Sequence, residues 1–175
     1  ASSSEAYGWL LKLLAAPGDA VLVPAPSYPL LDALAELESV ELHRYRLDPA
    51  DGWRVQASAV EDALLRVERL GKRVAAVVLV APNNPTGTSL RRVELQRLLE
   101  LACRRRFAVI SDEVFLDYRW DDGPDDLRVA AGEPGDALVF SLGGLSKAAA
   151  LPQLKLGWIA ANGPPALLEE ALHRL

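Results

Sequence analysis

Val74-Ala-Ala-Val-Val-Leu-Val80 carries no polar side chain and stops abruptly in Pro82-Asn83-Asn84-Pro85-Thr86-Gly87. A short run that is apolar at every position suits a central strand covered on both faces, the usual state of a parallel sheet. The turn residues behind it end the strand at one edge of that sheet. The pattern recurs on either side. Ala20-Val-Leu-Val-Pro24, Phe107-Ala-Val-Ile110, Ala137-Leu-Val-Phe140 and Leu156 to Ala161 read as further strands, and Val40 to Leu47 alternates apolar with polar. Helical spacings lie between them: Ala6, Leu10, Leu13 and Leu14 before Pro17-Gly18; Leu30 to Leu37; Ser58 to Leu70; Leu90 to Arg105, capped by Ser89; and Pro165 to Leu175. Ser2, Ser3 and Ser4 offer N-cap oxygens to the first helix. Asp121 to Asp126 reads as a polar loop, and Cys103 as a core residue of its helix. Strands alternating with helices predict an α/β fold, a three-layer α/β/α arrangement with a mainly parallel sheet.

Composition narrows the function. Of 175 residues, 50% are hydrophobic and 25% charged, a globular balance that suits one domain over residues 1–175. Lys+Arg 19 against Asp+Glu 24 gives a net charge of −5, which argues against nucleic acid or an anionic membrane as partner. One cysteine and two histidines leave little for a metal site or a disulfide framework. No apolar run approaches the ~20 residues of a membrane span, and the expected location is the cytoplasm.

The polar residues fall at telling places. Asn84, Asp112 and Lys147 each follow an apolar strand, and in open α/β sheets the carboxyl edge of the strands binds ligands. That rim lacks a Gly-x-x-x-x-Gly-Lys loop, a Gly-x-Gly-x-x-Gly fingerprint and a histidine placed for a Ser-His-Asp triad. Covalent catalysis by a lysine amine, through a Schiff base, remains.

Three stretches carry a resemblance: Ala81-Pro-Asn-Asn-Pro-Thr-Gly87, Ser111-Asp112-Glu113-Val114, and Gly144-Leu-Ser-Lys147 followed by Lys155-Leu-Gly157. Together they resemble the class I/II aminotransferases, the fold-type I enzymes that depend on pyridoxal 5′-phosphate. Ser2-Ser-Ser-Glu-Ala6, Pro17-Gly18-Asp19 and Pro26-Ser-Tyr-Pro29 fall in the same order. The resemblance covers essentially the whole chain, and only the large, cofactor-binding domain of that family. The family's N-terminal arm and small C-terminal domain lie outside it, so these residues alone are expected to be inactive.

The resemblance implies a role for each residue. Lys147 would form the Schiff base and shuttle the substrate proton; otherwise it is a surface lysine. Asp112 would pair with the pyridinium nitrogen, the alternative being a helix cap. Asn84 would donate to the ring hydroxyl oxygen, or simply shape its turn. Tyr28 would stack on the ring, or anchor its loop. The amides and hydroxyls of Ser2, Ser3 and Ser4 would hold the phosphate. Lys155 would add charge where relatives usually have arginine, without the bidentate fork. Ser146 would contribute a hydroxyl, or pack.

Two departures stand out. Phe115 occupies a place where many relatives have a tyrosine that reaches the ring hydroxyl, and Gly144 a place where many have a phosphate-binding serine. The activity implied is transfer of an amino group between an amino acid and a 2-oxo acid, in a homodimer. A related lyase or synthase, or the ligand-sensing domain of a winged-helix transcription regulator, would use the same framework.

Overall fold

The computed structural model describes residues 2–119, 129–131 and 135–175. The loop read at Asp121 to Asp126 lies outside them. The described chain forms six strands: β1 (Ala20–Ala25), β2 (Glu41–Arg46), β3 (Val74–Val80), β4 (Ala108–Asp112), β5 (Val139–Gly144) and β6 (Gly157–Asn162). Six helices accompany them: α1 (Ser3–Leu14), α2 (Leu30–Leu37), α3 (Ala57–Arg69), α4 (Arg92–Arg105), α5 (Leu145–Ala148) and α6 (Pro165–Arg174). The strands assemble in the order β2-β1-β3-β4-β5-β6. Only β6 runs against its neighbour β5; the other pairs are parallel.

Alternation along β3 explains the three layers. Val77 and Leu79 face one apolar cluster, which includes Leu64 and Val67 of α3 and Leu98 and Leu101 of α4. Ala76, Val78 and Val80 face a second cluster with Leu10 of α1, Leu31 of α2 and Ala171 of α6. Every residue of β3 is buried, as its uniform apolar run predicts. The fold is the expected α/β/α arrangement around a mainly parallel sheet. Among the described residues no helix is long and apolar enough to cross a membrane.

The local differences have physical causes. Strands β4 and β5 run on through Ser111-Asp112 and through Ser141 to Gly144, beyond the apolar runs that announced them. Asp112 lies in register with Val80 on one side and Leu142 on the other. A central strand with neighbours on both sides keeps its backbone ladder whatever its side chains are. Asp112 is therefore the last residue of its strand, not the first beyond it. Helix α4 starts at Arg92 rather than Leu90, with Arg91 and not Ser89 at its cap position. The Glu94 carboxylate accepts from the Arg91 amide at 2.9 Å, while Leu90 is drawn into the core. Cys103 is exposed, a correction to its reading as core. The buried face of α4 runs through Leu95, Leu98, Leu101 and Ala102, and the next residue turns away from it.

Candidate functional site

The C-terminal ends of β1, β3, β4 and β5 all open on one edge of the sheet, as parallel strands must. A cleft of about 320 Å³ lies there. The loop after β1 brings Tyr28, the loop after β3 brings Asn84, and β4 ends in Asp112. The short helix α5, directly after β5, brings Ser146 and Lys147, and the approach to β6 brings Lys155. Ser2, Ser3 and Ser4 close the cleft from the first turn of α1. The structure thus gathers into one space every residue to which the resemblance gave a role, while Gly144 lies outside the cleft lining.

Two adjacent asparagines divide their work. The Asn83 side chain donates to Thr86 Oγ1 at 2.9 Å and to the Pro26 carbonyl at 3.3 Å. Its backbone closes the turn, donating to the Thr88 carbonyl and accepting from Gly87, whose φ of 72 is the conformation glycine favours. Asn83 builds the loop, and half-buried Asn84 is the one turned to the cleft.

The serines work differently from the capping read in the sequence. Ser2 occupies the N-cap position of α1, yet its side chain makes no capping hydrogen bond. The turn is held instead by the Ala6 amide, which donates to the Ser2 carbonyl at 3.0 Å. The remaining first-turn amides of a long helix, with its positive dipole end, suit an anion. Gly157 lets this helix end come close: a Cβ there would stand 3.4 Å from the Ser3 amide nitrogen and 3.1 Å from the Gly143 carbonyl. Gly144 is similarly constrained, because a Cβ would meet the Leu156 carbonyl at 3.1 Å. A serine at that position would have to push backbone aside.

Asp112 is the electrostatic centre. It is 8% exposed, and its two oxygens are held by two donors. The Val114 amide donates to Oδ1 at 3.2 Å and the Tyr7 hydroxyl donates to Oδ2 at 3.0 Å. Burial raises its carboxyl above the ordinary 3.8, the two hydrogen bonds pull the other way, and neighbouring Glu113 pushes up again. Glu113 itself serves the frame. Its Oε1 accepts from the Val129 amide at 2.8 Å and from Ser141 Oγ at 2.7 Å. Lys147 is exposed, with Nζ 5.5 Å from the centroid of the Phe115 ring.

Tyr7 escaped the sequence reading. It lies in the first turns of α1 on the same buried face as Ala6 and Leu10. A tyrosine on a core face needs a partner for its hydroxyl, and that was the available signal.

The profile for aminotransferase class I and II matches residues 2–173. The chain belongs to the class I and II aminotransferases. Among curated members of the family it is 34% identical to the glutamate-pyruvate aminotransferase AlaA of Haemophilus influenzae over 161 residues, 92% of this chain and 38% of that protein. It is 30% identical to nicotianamine aminotransferase 1 of Oryza sativa subsp. japonica over 171 residues, 97% of this chain and 33% of that protein. Among solved structures, the alanine aminotransferase of Pyrococcus furiosus matches 99% of this chain and 42% of that one, at a TM-score of 0.86 and 26% identity. The chain therefore spans less than half the length of these relatives, and its fold is that of the fold-type I enzymes.

Proposed function

We propose that the protein is a pyridoxal 5′-phosphate-dependent aminotransferase, moving an amino group between an amino acid and a 2-oxo acid, in the cytoplasm and as a homodimer. Residues 1–175 are its cofactor-binding large domain. The observation that carries the reading is that Lys147 and Asp112 line one cleft, the first with an exposed amine and the second a buried carboxylate on which, among the described residues, no lysine or arginine acts. The residues fit the cofactor. A buried carboxylate without a counter-ion calls for a cation, which a pyridinium nitrogen provides. The α1 amides and Lys155 suit a phosphate in the same space.

When bound, pyridoxal phosphate supplies a conjugated ring that takes up the electron pair left at the amino acid Cα. The chain does the rest. Asp112 would pair with the ring nitrogen and favour its protonated form. Asn84 would donate its amide N–H to the ring hydroxyl oxygen. Ser2, Ser3 and Ser4 would hold the phosphate, with Ser146 and Lys155 adding donors. Lys147 Nζ would hold the cofactor and, once substrate has freed it, would accept and deliver the proton of the substrate Cα. Tyr28, exposed at the mouth, would cover the ring from water.

Borohydride reduction after incubation with pyridoxal phosphate tests this. The protein, purified at its full encoded length, is expected to be labelled on Lys147 and nowhere else, and Lys147→Ala to lose both label and amino transfer. A specific adduct that survives Lys147→Ala overturns the assignment.

A further inference from the structure

Tyr7 makes a long-range polar contact at the cleft: its hydroxyl reaches Asp112 across 105 positions of sequence. The ring is 3% exposed and belongs to the apolar cluster between α1 and the sheet. Because Tyr7 rides on α1, the helix that presents Ser2–Ser4 to the cleft also grips the Asp112 carboxylate that lines it. We propose that Tyr7 is a positioning residue: its O–H fixes the Asp112 carboxylate, ionised and in one orientation, to receive a cation in the cleft. This rests on the cleft being the pyridoxal phosphate site, whose ring nitrogen is that cation.

The geometry allows it. With Val114 N–H on Oδ1 and Tyr7 O–H on Oδ2, the carboxylate cannot rotate without breaking a hydrogen bond. Each carboxylate oxygen has room for two donors, so Oδ2 accepts from Tyr7 and still has a lone pair for the ligand. The Tyr7 phenol, raised well above its ordinary value by burial and then by the Asp112 charge, remains a donor at every working pH. Among the described residues, the other ionisable groups that act on the pair or line its cleft are Glu113 directly after the same strand, Tyr45, Lys147 and Lys155. Among the described side chains, Tyr7 alone gives Asp112 a hydrogen bond that favours its ionised form.

A buried tyrosine also satisfies its hydroxyl wherever an acceptor is near, so the test must separate positioning from packing. The measurement is carboxyl-carbon NMR of the cofactor-free, full-length protein labelled in aspartate, with the Asp112 signal assigned through Asp112→Asn. Tyr7→Phe keeps the ring and removes the donor. Asp112 is expected to titrate about one pH unit higher in this variant, and the dissociation constant for pyridoxal phosphate to rise about tenfold. An unchanged Asp112 titration overturns the proposal, whatever happens to thermal stability. A double-mutant cycle gives a second reading. In the Asp112→Asn background Tyr7→Phe is expected to leave cofactor affinity within about twofold, and a full tenfold loss there would mean that Tyr7 acts through packing alone. Failure of the cofactor reading looks different: the wild-type protein itself would bind no pyridoxal phosphate and trap nothing on Lys147.

Discussion

The hydroxyl of Tyr118 donates to the backbone carbonyl of Lys147 at 2.8 Å. Helix α5, which carries Lys147, has only four residues, so its carbonyls have few helical partners of their own. Ala150 N–H reaches the same carbonyl at 3.3 Å, and Tyr118 ties it from outside to the loop that follows β4. The Tyr118 ring also meets Phe115 edge to face, 6.2 Å between centroids, and Phe115 is the ring beneath Lys147 Nζ. Backbone and side chain of the lysine are therefore both referred to the segment just past Asp112.

Tyr118→Phe isolates this anchor. The ring contact with Phe115 survives and one exposed hydrogen bond is lost, so stability should fall by less than about 1 kcal/mol. The turnover number is expected to drop several-fold, because small misplacements of a reacting amine are costly. Urea unfolding and steady-state kinetics measure the two separately. Unchanged kcat and KM would show that α5 holds its lysine without Tyr118.

Gly157→Ala should act on the cofactor more than on the fold. The new methyl would crowd the Gly143 carbonyl at 3.1 Å and touch the Ser3 amide at 3.4 Å, both backbone, so the contact between β5, β6 and the end of α1 has to open by a few tenths of an ångström. A cost of about 1–2 kcal/mol in stability is expected, typical of overpacking. Cofactor affinity should fall about tenfold as the phosphate donors shift, and calorimetric titration with pyridoxal phosphate checks it. Equal affinity in variant and wild type would remove α1 from the phosphate site.

Asp112 makes stability depend on pH in a direction fixed by its burial. Its folded carboxyl lies above the ordinary 3.8, so the folded state holds this proton more tightly than the unfolded chain does. Its contribution to stability is full below about 3.8 and is lost as pH rises through the raised folded value. Asp112→Asn in the cofactor-free protein should therefore be more stable than wild type at neutral pH, the gain vanishing in acid. The same variant should lose about 10²-fold or more in amino transfer, since an amide cannot keep the ring nitrogen protonated. Unfolding at pH 7 and pH 4, beside a rate assay, reads both. A variant less stable than wild type at pH 7 contradicts the electrostatic account.

Much of this site was legible because its residues announce themselves locally. Asn84, Asp112 and Lys147 each stand where an apolar run gives way to polar residues, and a parallel sheet brings such places to one edge. What local pattern cannot show is reach. Tyr7 looks like an ordinary core residue of α1 until the helix is laid across the end of β4, and Tyr118 like a loop residue until α5 lies beside it. Strand ends misled for the same reason. Ser111, Asp112 and Ser141 are polar, yet neighbours on both sides keep them in the ladder. Cys103 shows the limit of periodicity, where one residue along α4 separates buried from exposed.

Glu113 provides the remaining prediction, because it neighbours Asp112 and does different work. Its Oε1 accepts from the Val129 amide and from Ser141 Oγ, and that same Ser141 oxygen accepts from the Ala130 amide at 2.9 Å. All of these groups are buried, so removing the acceptor leaves donors without water to turn to. Glu113→Ala should cost about 2–4 kcal/mol, the sum of two stranded donors. Glu113→Gln keeps an oxygen at the same reach and needs only to place its amide nitrogen elsewhere, so it should cost about 1 kcal/mol or less. Ser141→Ala breaks the relay at one link and should fall between the two. The ranking, read from urea midpoints of the three variants at one pH, is what identifies hydrogen bonding as the cause. If Glu113→Gln were as damaging as Glu113→Ala, the negative charge itself, and not the acceptor oxygen, would be what holds residues 129 and 130 against β5.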